Sequence, residues 1–475
     1  MSNTRRISVF LFLPLLLLAP AAHASPADLP GTVTAAMKHH RLDPAGVSVF
    51  VQAVDADEPA VAFNAAVLRS PASVIKLVTT YAALDLLGPG YRWYTDVLAT
   101  GPLRNGRLEG DLVLRGGGDP GLNTERFWTL LREVRARGIH DIAGSLVIDD
   151  TLFATNGEQS GDFDRQPYRA YNVLANAMLV SNNAVEFRVV RGEGDIRVHI
   201  EPPLHGFRVE NRIRSKPGQC GGFQRGVAFD LPEGFQGRRA ILSGAFPTGC
   251  QDYMLYRAVL PAPQFADALF RTLWQQLGGT VGGPLKVAPV PEDARLIYRH
   301  PSIPLADQVR TANKWSNNPM TRHMFLTMGI ERDGPPGTTD KARAALAEWL
   351  EQRGLAAPGL FIDNGSGLSR HTRFTADVLG RMLLDAWAHP QMAELLSSMP
   401  ISAVDGTLRS RYNDDMAGRL HLKTGRLDGV SALAGMMLNR AGRRYVVVVI
   451  VNDPDAHRGS GVAVQDAVVR WTFNR

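Results

Sequence analysis

Residues 69–84 read RSPASVIKLVTTYAAL, and the predicted organisation of the chain follows from this segment. Apolar residues recur at helical spacing from Val74 onward, which predicts a helix that starts just after Pro71. Ser73 and Lys76 lie three positions apart, so their side chains share one face of that helix and can meet. A serine hydroxyl becomes a strong nucleophile when an adjacent base takes its proton, and a neutral lysine amine can be that base.

The Ser-x-x-Lys pattern alone does not establish a nucleophile, because a capped amphipathic helix with an exposed lysine gives the same spacing. A second motif lies at Ser316-Asn317-Asn318, directly before Pro319. Proline is favoured at the first helical position, which places Asn318 at or near the cap of a predicted helix. A serine and an amide held at the start of a helix can face a reacting group, although a plain helix cap has the same sequence.

The third motif is Lys423-Thr424-Gly425, at the end of a predicted strand. Gly425 would let a ligand backbone approach the strand edge, while Lys423 and Thr424 offer a cation and a hydroxyl to a substrate carboxylate. For this motif alone, the alternative is an ordinary strand that ends in a turn. The ordered set of S-x-x-K, S-x-N and K-T-G is the pattern of penicillin-binding proteins and β-lactamases.

A second copy of the middle tripeptide occurs at Ser181-Asn182-Asn183. It precedes a predicted strand, in a region rich in short strands, rather than a helix. We therefore predict that this copy is a structural turn and that the copy at 316–318 belongs to the site.

Residues 1–24 have the composition of a secretory leader. Arg5 and Arg6 precede an apolar segment at 9–19 that is too short to span a bilayer, and residues 22–24 read AHA, a small-x-small cleavage pattern. The alternative is a leader that stays attached as an anchor. We expect a periplasmic or extracellular protein whose membrane association is at most peripheral.

Composition argues against several classes of partner and of site. The formal net charge is +6, but arginine and lysine are spread along the chain without a dense run, which argues against nucleic-acid binding. Cys220 and Cys250, the two cysteines, are expected to pair after export, the alternatives being two free thiols or a metal site. With no C-x-x-C pair and no nearby pair of histidines, we expect neither a metal nor a cofactor.

Further segments match a known family. Residues 110–120 read GDLVLRGGGDP, residues 364–370 read NGSGLSR and residues 405–408 read DGTL, in the family order. With the three motifs, the sequence resembles the class C low-molecular-mass penicillin-binding proteins, which are D-alanyl-D-alanine carboxypeptidases and endopeptidases. The long insertion between the Ser73 helix and Ser316 is itself typical of this class.

The resemblance implies an α/β fold with a β-lactamase/transpeptidase-like catalytic domain, in which helices flank an antiparallel sheet. This domain would comprise residues 25–90 and 290–475. Two β-rich insertion domains would be nested within it, one at 91–167 and 262–289 and the other at 168–261.

The resemblance also implies a serine-type D,D-peptidase that hydrolyses D-alanyl-D-alanine ends and D,D cross-bridges of peptidoglycan through a Ser73 acyl-enzyme, with β-lactams as covalent inhibitors. Lys76 would take the proton of Ser73, and Ser316 would relay it to the leaving amine. The residues implied to contact substrate are Asn318, Lys423, Thr424, Gly425, Arg426, Arg370 and Asp164. A β-lactamase or esterase on the same scaffold, or a catalytically silent cell-wall-binding protein, are the alternatives.

Three residues depart from the family pattern. Asn364 stands where aspartate is usual, and Asn317 stands where aspartate is also frequent. Arg426 stands where a small residue is frequent, so we expect the rim of the site to be tighter or more basic at that point.

Overall fold

The computed structural model describes residues 29–155, 157–221 and 226–475. The leader predicted at 1–24 lies outside these residues. The first elements are α1 (Gly31–His39), β1 (Val47–Ala53), β2 (Val61–Phe63) and, after a 3-10 turn over Ala72–Ile75, α2 (Lys76–Leu87).

The middle of the chain forms mostly short strands. The first group is β3 (Tyr94–Ala99), β4 (Leu103–Arg104), β5 (Arg107–Leu108), β6 (Leu112–Arg115), α3 (Thr124–Ala136), β7 (Asp141–Ile142) and β8 (Leu146–Asp149). The second group is β9 (Val185–Arg191), β10 (Ile196–Glu201), β11 (Arg208–Lys216), β12 (Val227–Asp230), β13 (Arg239–Pro247) and β14 (Asp252–Arg257). The chain then forms α4 (Ala262–Gln276), β15 (Thr280–Val281), β16 (Leu285–Val287) and β17 (Arg295–Pro301).

The last part of the chain is helical and then returns to long strands. Its helices before the strands are α5 (Leu305–Lys314), α6 (Asn318–Asp333), α7 (Thr339–Gln352), α8 (Ala376–Ala388) and α9 (Met392–Ser398). The closing elements are β18 (Leu420–Leu427), β19 (Val430–Leu438), β20 (Arg444–Asn452) and α10 (Ser460–Phe473).

Both ends of the described chain build one antiparallel sheet, in the order β18-β19-β20-β1-β2. Side chains alternate across a strand, so the apolar run of β20 serves two cores. Val446, Val448 and Ile450 pack in the core that includes α2 and α8. Val447 and Val449 pack on the other face, with α1 and α10. The predicted α/β fold, with helices on both faces of an antiparallel sheet, is confirmed.

Helix α2 runs through the protein interior rather than along its surface. Every residue from Lys76 to Leu84 is buried, and Lys76 itself has no exposed surface. A helix that is apolar on every side belongs in a core. The alternative of an amphipathic helix with an exposed lysine is therefore wrong, and Lys76 carries a burial cost that needs a specific explanation.

The first group of middle strands forms a mixed sheet in the order β16-β8-β6-β3-β17 and a smaller one in the order β15-β7-β5-β4. Strands β6 and β8 are parallel and are connected through α3. Strand β17 pairs with β3 along its length, from Arg295 to Pro301. The sheet of this insertion therefore continues past residue 290, where we placed the return to the catalytic domain, and the boundary moves beyond Pro301.

The second group of strands forms two three-stranded sheets, β10-β9-β14 and β11-β13-β12. A disulfide joins Cys220 and Cys250, as predicted, across a sequence separation of 30 residues. One apolar cluster contains Phe187 and Phe246 of these sheets together with Phe127 and Trp274 of the preceding insertion. The two insertions predicted as separate domains therefore share a core, which fixes them relative to each other.

Within the described ranges, no helix is both long and apolar enough to cross a membrane.

Candidate active site

Ser73 lies in the 3-10 turn that leads into α2, and the α-helix itself begins at Lys76. The preceding residue, Ala72, has a positive φ of 45°, a conformation that costs energy for any residue except glycine. Gly367 packs directly against this turn, since a Cβ at Gly367 would lie 2.1 Å from the carbonyl oxygen of Ala72. This close backbone contact explains the glycine and sets the position of Ser73.

The Lys76 amine reaches three oxygen atoms. Its Nζ is 3.1 Å from Ser73 Oγ and 2.7 Å from Asn318 Oδ1, and it also donates to the carbonyl oxygen of Ser366. Asn318 Oδ1 and the Ser366 carbonyl can only accept hydrogen bonds. A neutral amine has two N–H groups and one lone pair, so these two acceptors use both hydrogens and the lone pair is left for the hydroxyl hydrogen of Ser73.

The charge state of Lys76 fits this arrangement. Burial lowers the pKa of Lys76 well below its usual range, and the positive charges of Lys423 and Arg322 lower it further. Burial is the largest of these causes. A lowered pKa favours the neutral amine, and a neutral amine whose lone pair faces a serine hydroxyl can act as a general base.

Helix α6 positions the second motif. Asn317 is the N-cap, and Asn318 lies next to it, near the cap as expected: the Asn317 side chain accepts a hydrogen bond of 3.0 Å from the amide of Met320. This leaves the Asn318 side chain free to serve the site. Its Oδ1 faces Lys76, and its Nδ2 donates to the carbonyl oxygen of Tyr171 at 3.0 Å, so both ends of the amide are satisfied.

Ser316 and Lys423 form the second hydrogen-bonded pair of the site. Lys423 Nζ donates to Ser316 Oγ at 2.9 Å and to the carbonyl oxygen of Thr424 at 2.8 Å. Burial lowers the pKa of Lys423 to about 7. A protonated Lys423 has a third N–H, which an anionic ligand can use.

Strand β18 brings the third motif against the turn that carries Ser73. The strand extends to Leu427, so Gly425 lies within it rather than at its end. A Cβ on Gly425 would be 2.8 Å from the Pro71 carbonyl oxygen and 3.1 Å from the Ser73 amide nitrogen. Only glycine allows this approach. Arg426 follows with an exposed side chain, as expected for a residue on the rim.

Arg370 lines a cavity of about 270 Å³ next to this centre. The Arg370 guanidinium stacks 4.7 Å from the centre of the Phe163 ring and donates to the Asp428 carbonyl oxygen at 2.9 Å. Asp164 does not line the cavity among the described residues: its carboxylate accepts hydrogen bonds of 2.7 Å from Tyr171 and from Asn172. The carboxylate residues that do line the cavity are Glu158, Asp162 and Asp363.

Several contacts were not foreseen from the sequence. The backbone carbonyls of Ser366 and Tyr171 bind the two motif side chains, and Thr407 contacts Thr424, with 2.8 Å between their Oγ1 atoms. The two glycines that flank Ser366 were a visible sign of a tight turn, and both have positive φ values in the structure. The sequence carries no comparable signal for the Tyr171 carbonyl.

The second tripeptide copy forms a turn before β9, as predicted, but it is not remote from the site. All three of its residues have positive φ values, between 49° and 51°. Asn182 Oδ1 accepts a hydrogen bond of 3.3 Å from Asn317 Nδ2, and Asn183 Nδ2 donates to the Leu260 carbonyl oxygen at 2.9 Å. The turn thus supports the helix cap of the first copy without contacting Ser73 or Lys76.

No group of three potential metal-ligating side chains occurs in the part of the chain that the structure describes.

The sequence matches the D-Ala-D-Ala carboxypeptidase 3 (S13) family over residues 29–475. It is 30% identical over 422 residues to a D-alanyl-D-alanine carboxypeptidase of Actinomadura sp., a match that covers 84% of this chain and 76% of the relative. It is 26% identical over 399 residues to D-alanyl-D-alanine carboxypeptidase DacB of Haemophilus influenzae, with 82% of each chain covered.

Solved structures share the fold. Penicillin binding protein 4 (dacB) from Haemophilus influenzae superposes with a TM-score of 0.77 at 22% identity, covering 93% of this chain and 99% of that one. A complex of the same protein with a β-lactam gives a TM-score of 0.73 at 21% identity, covering 94% and 100%. With the family match over nearly the whole described chain, these similarities establish that the chain belongs to the D-Ala-D-Ala carboxypeptidase 3 (S13) family.

Proposed function

We propose that Ser73 is the nucleophile with which this serine D,D-peptidase cleaves the bond before the last D-alanine of a peptidoglycan stem peptide. The observation that supports this role is the geometry of Lys76. Its amine is buried, its pKa is lowered, and its lone pair has only the Ser73 hydroxyl to accept from. A base arranged in this way has no evident purpose other than to deprotonate Ser73.

The chemistry follows from these contacts. Ser73 Oγ attacks the carbonyl carbon of the penultimate D-alanine while its proton passes to Lys76 Nζ. The amide N–H groups of Ser73 and Arg426 stabilise the oxyanion, an interaction typically worth about 3–4 kcal/mol per donor. As the C–N bond breaks, Ser316 donates its proton to the leaving amine and takes up the proton held by Lys76, so that an ester to Ser73 and a neutral Lys76 remain. Water then hydrolyses this ester and restores the free serine.

The other side chains bind substrate. Protonated Lys423 and the Thr424 hydroxyl bind the terminal carboxylate, and Asn318 holds the substrate amide. Arg370 contacts the side chain of the diamino acid in the adjacent cavity, where Phe163 packs under the guanidinium. Asp164 contributes through the loop that it holds, because Tyr171 and Asn172 already occupy its carboxylate.

The same machinery would act on two forms of the polymer. Loss of a terminal D-alanine is carboxypeptidase activity, and cleavage of a cross-bridge to a diamino acid is endopeptidase activity. β-Lactams, which resemble the D-alanyl-D-alanine end, would acylate Ser73. The leader-like sequence at 1–24 supports a periplasmic or extracellular location, where these polymers occur.

Labelled penicillin tests the assignment of Ser73. Wild-type protein and a Ser215→Ala control on the outer sheet should each take up one label per chain, in the peptide that contains Ser73. Ser73→Ala should lose both labelling and release of D-alanine, because no other group replaces the attacking oxygen. Lys76→Ala should also fail to acylate, since Ser73 then has no base.

The same experiment separates the alternatives. Full labelling of Ser73→Ala, or a labelled peptide elsewhere, would contradict the assignment. Rapid steady-state turnover of penicillin, without a long-lived adduct, would indicate a β-lactamase. Penicillin uptake with no release of D-alanine or cleavage of cross-linked muropeptides would indicate a silent wall-binding protein.

A further inference from the structure

The segment Asp405-Gly406-Thr407 has no role in the mechanism described so far, yet it forms a turn directly beside the third motif. The 3-10 turn over Gly406–Leu408 lies between α9 and β18. Its Thr407 hydroxyl is 2.8 Å from the Thr424 hydroxyl, measured between the two Oγ1 atoms. Thr407 therefore contacts the residue that is proposed to bind the substrate carboxylate.

This turn is firmly held. Asp405 Oδ2 accepts a hydrogen bond of 2.6 Å from Lys314 Nζ, and Asp405 Oδ1 accepts one of 2.9 Å from the amide of Ile401. The Lys314 side chain is only 5% exposed, so water screens its ion pair with Asp405 weakly. Two bonds to one carboxylate fix the start of the turn.

Gly406 brings the turn close to the end of helix α5. Its φ is +58°, and a Cβ there would lie 2.6 Å from the Lys314 carbonyl oxygen. Asp405 and Gly406 thus both contact Lys314, which precedes Ser316 of the second motif by only two residues. The turn thus places the Thr407 hydroxyl at a fixed position between the motif that contains Ser316 and the motif that contains Thr424.

The number of hydroxyl protons decides what Thr407 can do. Thr424 has one hydroxyl proton, which it directs to Thr407 in this structure. A carboxylate is an acceptor only, so Thr424 can bind it only by turning that proton toward it. The Thr424 oxygen can then accept a hydrogen bond, and Thr407 Oγ1 lies 2.8 Å from it.

We propose that Thr407 is a positioning residue of the carboxylate subsite, which donates its proton to Thr424 when Thr424 donates to the terminal carboxylate of the substrate. The two hydroxyls then form a chain that ends on a negative charge, in which each hydrogen bond strengthens the next. This role rests on the proposed binding of the carboxylate by Lys423 and Thr424.

Two matched acyl donors test the proposal. One is an N-acyl-D-alanyl thioester of thioglycolate, whose leaving group carries a carboxylate, and the other is the ethanethiol ester, which lacks it. Thr407→Val keeps the side-chain shape and removes the hydroxyl. We expect kcat/KM for the carboxylate donor to fall about tenfold, as for loss of a hydrogen bond that supports a charged partner, and kcat/KM for the other donor to stay within about twofold.

Three further variants complete the experiment. Thr407→Ser, which keeps the hydroxyl, should restore most of the activity on the carboxylate donor. Thr129→Val, on an exposed face of α3, should leave both donors unaffected. In a Thr424→Val background, Thr407→Val should cause no further loss of kcat/KM on the carboxylate donor, because the hydrogen-bond chain to the carboxylate is already broken.

Each contrary result would overturn the proposal. Equal losses of kcat/KM on both donors in Thr407→Val would mean that Thr407 has only a structural role. An unchanged kcat/KM for the carboxylate donor would mean that Thr407 has no role in the carboxylate subsite. A full additional loss in the Thr424→Val background would mean that Thr407 does not act through Thr424. Turnover of either donor by Ser73→Ala would instead refute the proposed nucleophile. The ratio of kcat/KM between the two donors, compared in Thr407→Val and wild type, would still report on Thr407.

Discussion

Gly425 of strand β18 lies so close to Ser73 that a methyl group at its Cα would be 3.1 Å from the Ser73 amide nitrogen. The turn that carries Ser73 and the strand that carries Lys423 are therefore in backbone contact. The Ser73 amide, one of the two proposed to stabilise the oxyanion, belongs to this contact. The position of the Ser73 amide therefore depends on the distance between strand β18 and the turn.

We expect Gly425→Ala to lower acylation by penicillin about 10–100-fold, because overpacking costs about 1–3 kcal/mol and here acts directly on the reacting group. Second-order acylation rates measure this. Gly90→Ala is the matched control, since nothing lies within 4 Å of a Cβ at Gly90. An unchanged rate in Gly425→Ala would show that the strand can shift without harm.

The two buried lysines predict a bell-shaped pH dependence of kcat/KM for peptides that carry a terminal carboxylate. Lys76 must be neutral, so activity should rise with pH through its lowered pKa. Lys423 must be protonated to attract the carboxylate, so activity should fall as pH rises through its pKa of about 7. With a carboxylate-free ester the alkaline fall should disappear. A flat profile between pH 6 and 9 for the peptide would contradict this assignment.

The two copies of the tripeptide should respond differently to loss of an amide. Asn318→Ala leaves Lys76 without one of its acceptors and the Tyr171 carbonyl unpaired, so we expect hydrolysis to fall by at least about 100-fold. Asn183→Ala removes a buried hydrogen bond to Leu260, which should cost about 1–3 kcal/mol of stability.

Rates per folded molecule and melting temperatures measure the two effects separately. Near-normal rates in Asn183→Ala, with a lower melting temperature, fit the prediction. A severe rate loss in Asn183→Ala with Asn318→Ala near wild type would mean that the catalytic copy is the one before β9.

The disulfide should matter for stability and not for chemistry. Labelling of denatured, unreduced protein should find no free thiol at Cys220 or Cys250. Replacing both by serine should destabilise the outer sheets by about 3–4 kcal/mol, the value expected for a closed loop of this size. Penicillin acylation of the folded variant should match wild type. A matching loss of acylation would mean that the insertion transmits strain to the site.

The sequence was most informative where a pattern is local. The regular apolar period of residues 461–473 predicts a helix there, and helix α10 runs from Ser460 to Phe473. The Ser-x-x-Lys spacing placed Ser73 and Lys76 together correctly, since three residues on a helical turn always share a face.

Contacts between distant segments were beyond the reach of sequence patterns. The sequence places Asn318 at or near the helix cap but does not decide between Asn317 and Asn318, because either asparagine can serve. The contacts of Asn318 with Lys76 and with the Tyr171 carbonyl leave Asn317 as the cap. The domain boundary at 290 missed β17, because pairing with β3 depends on a partner far back in the chain.

The strand order β18-β19-β20-β1-β2 also determines when the enzyme can become active. Strand β1 is translated early, but its neighbour β20 and the strand that carries Lys423 are translated late. Pairing across such a distance is slow and must wait for the last strands. A nascent chain therefore carries Ser73 without the strand that completes its site. An unfinished copy therefore lacks Lys423, to which the proposed mechanism assigns the substrate carboxylate, until the last strands have paired.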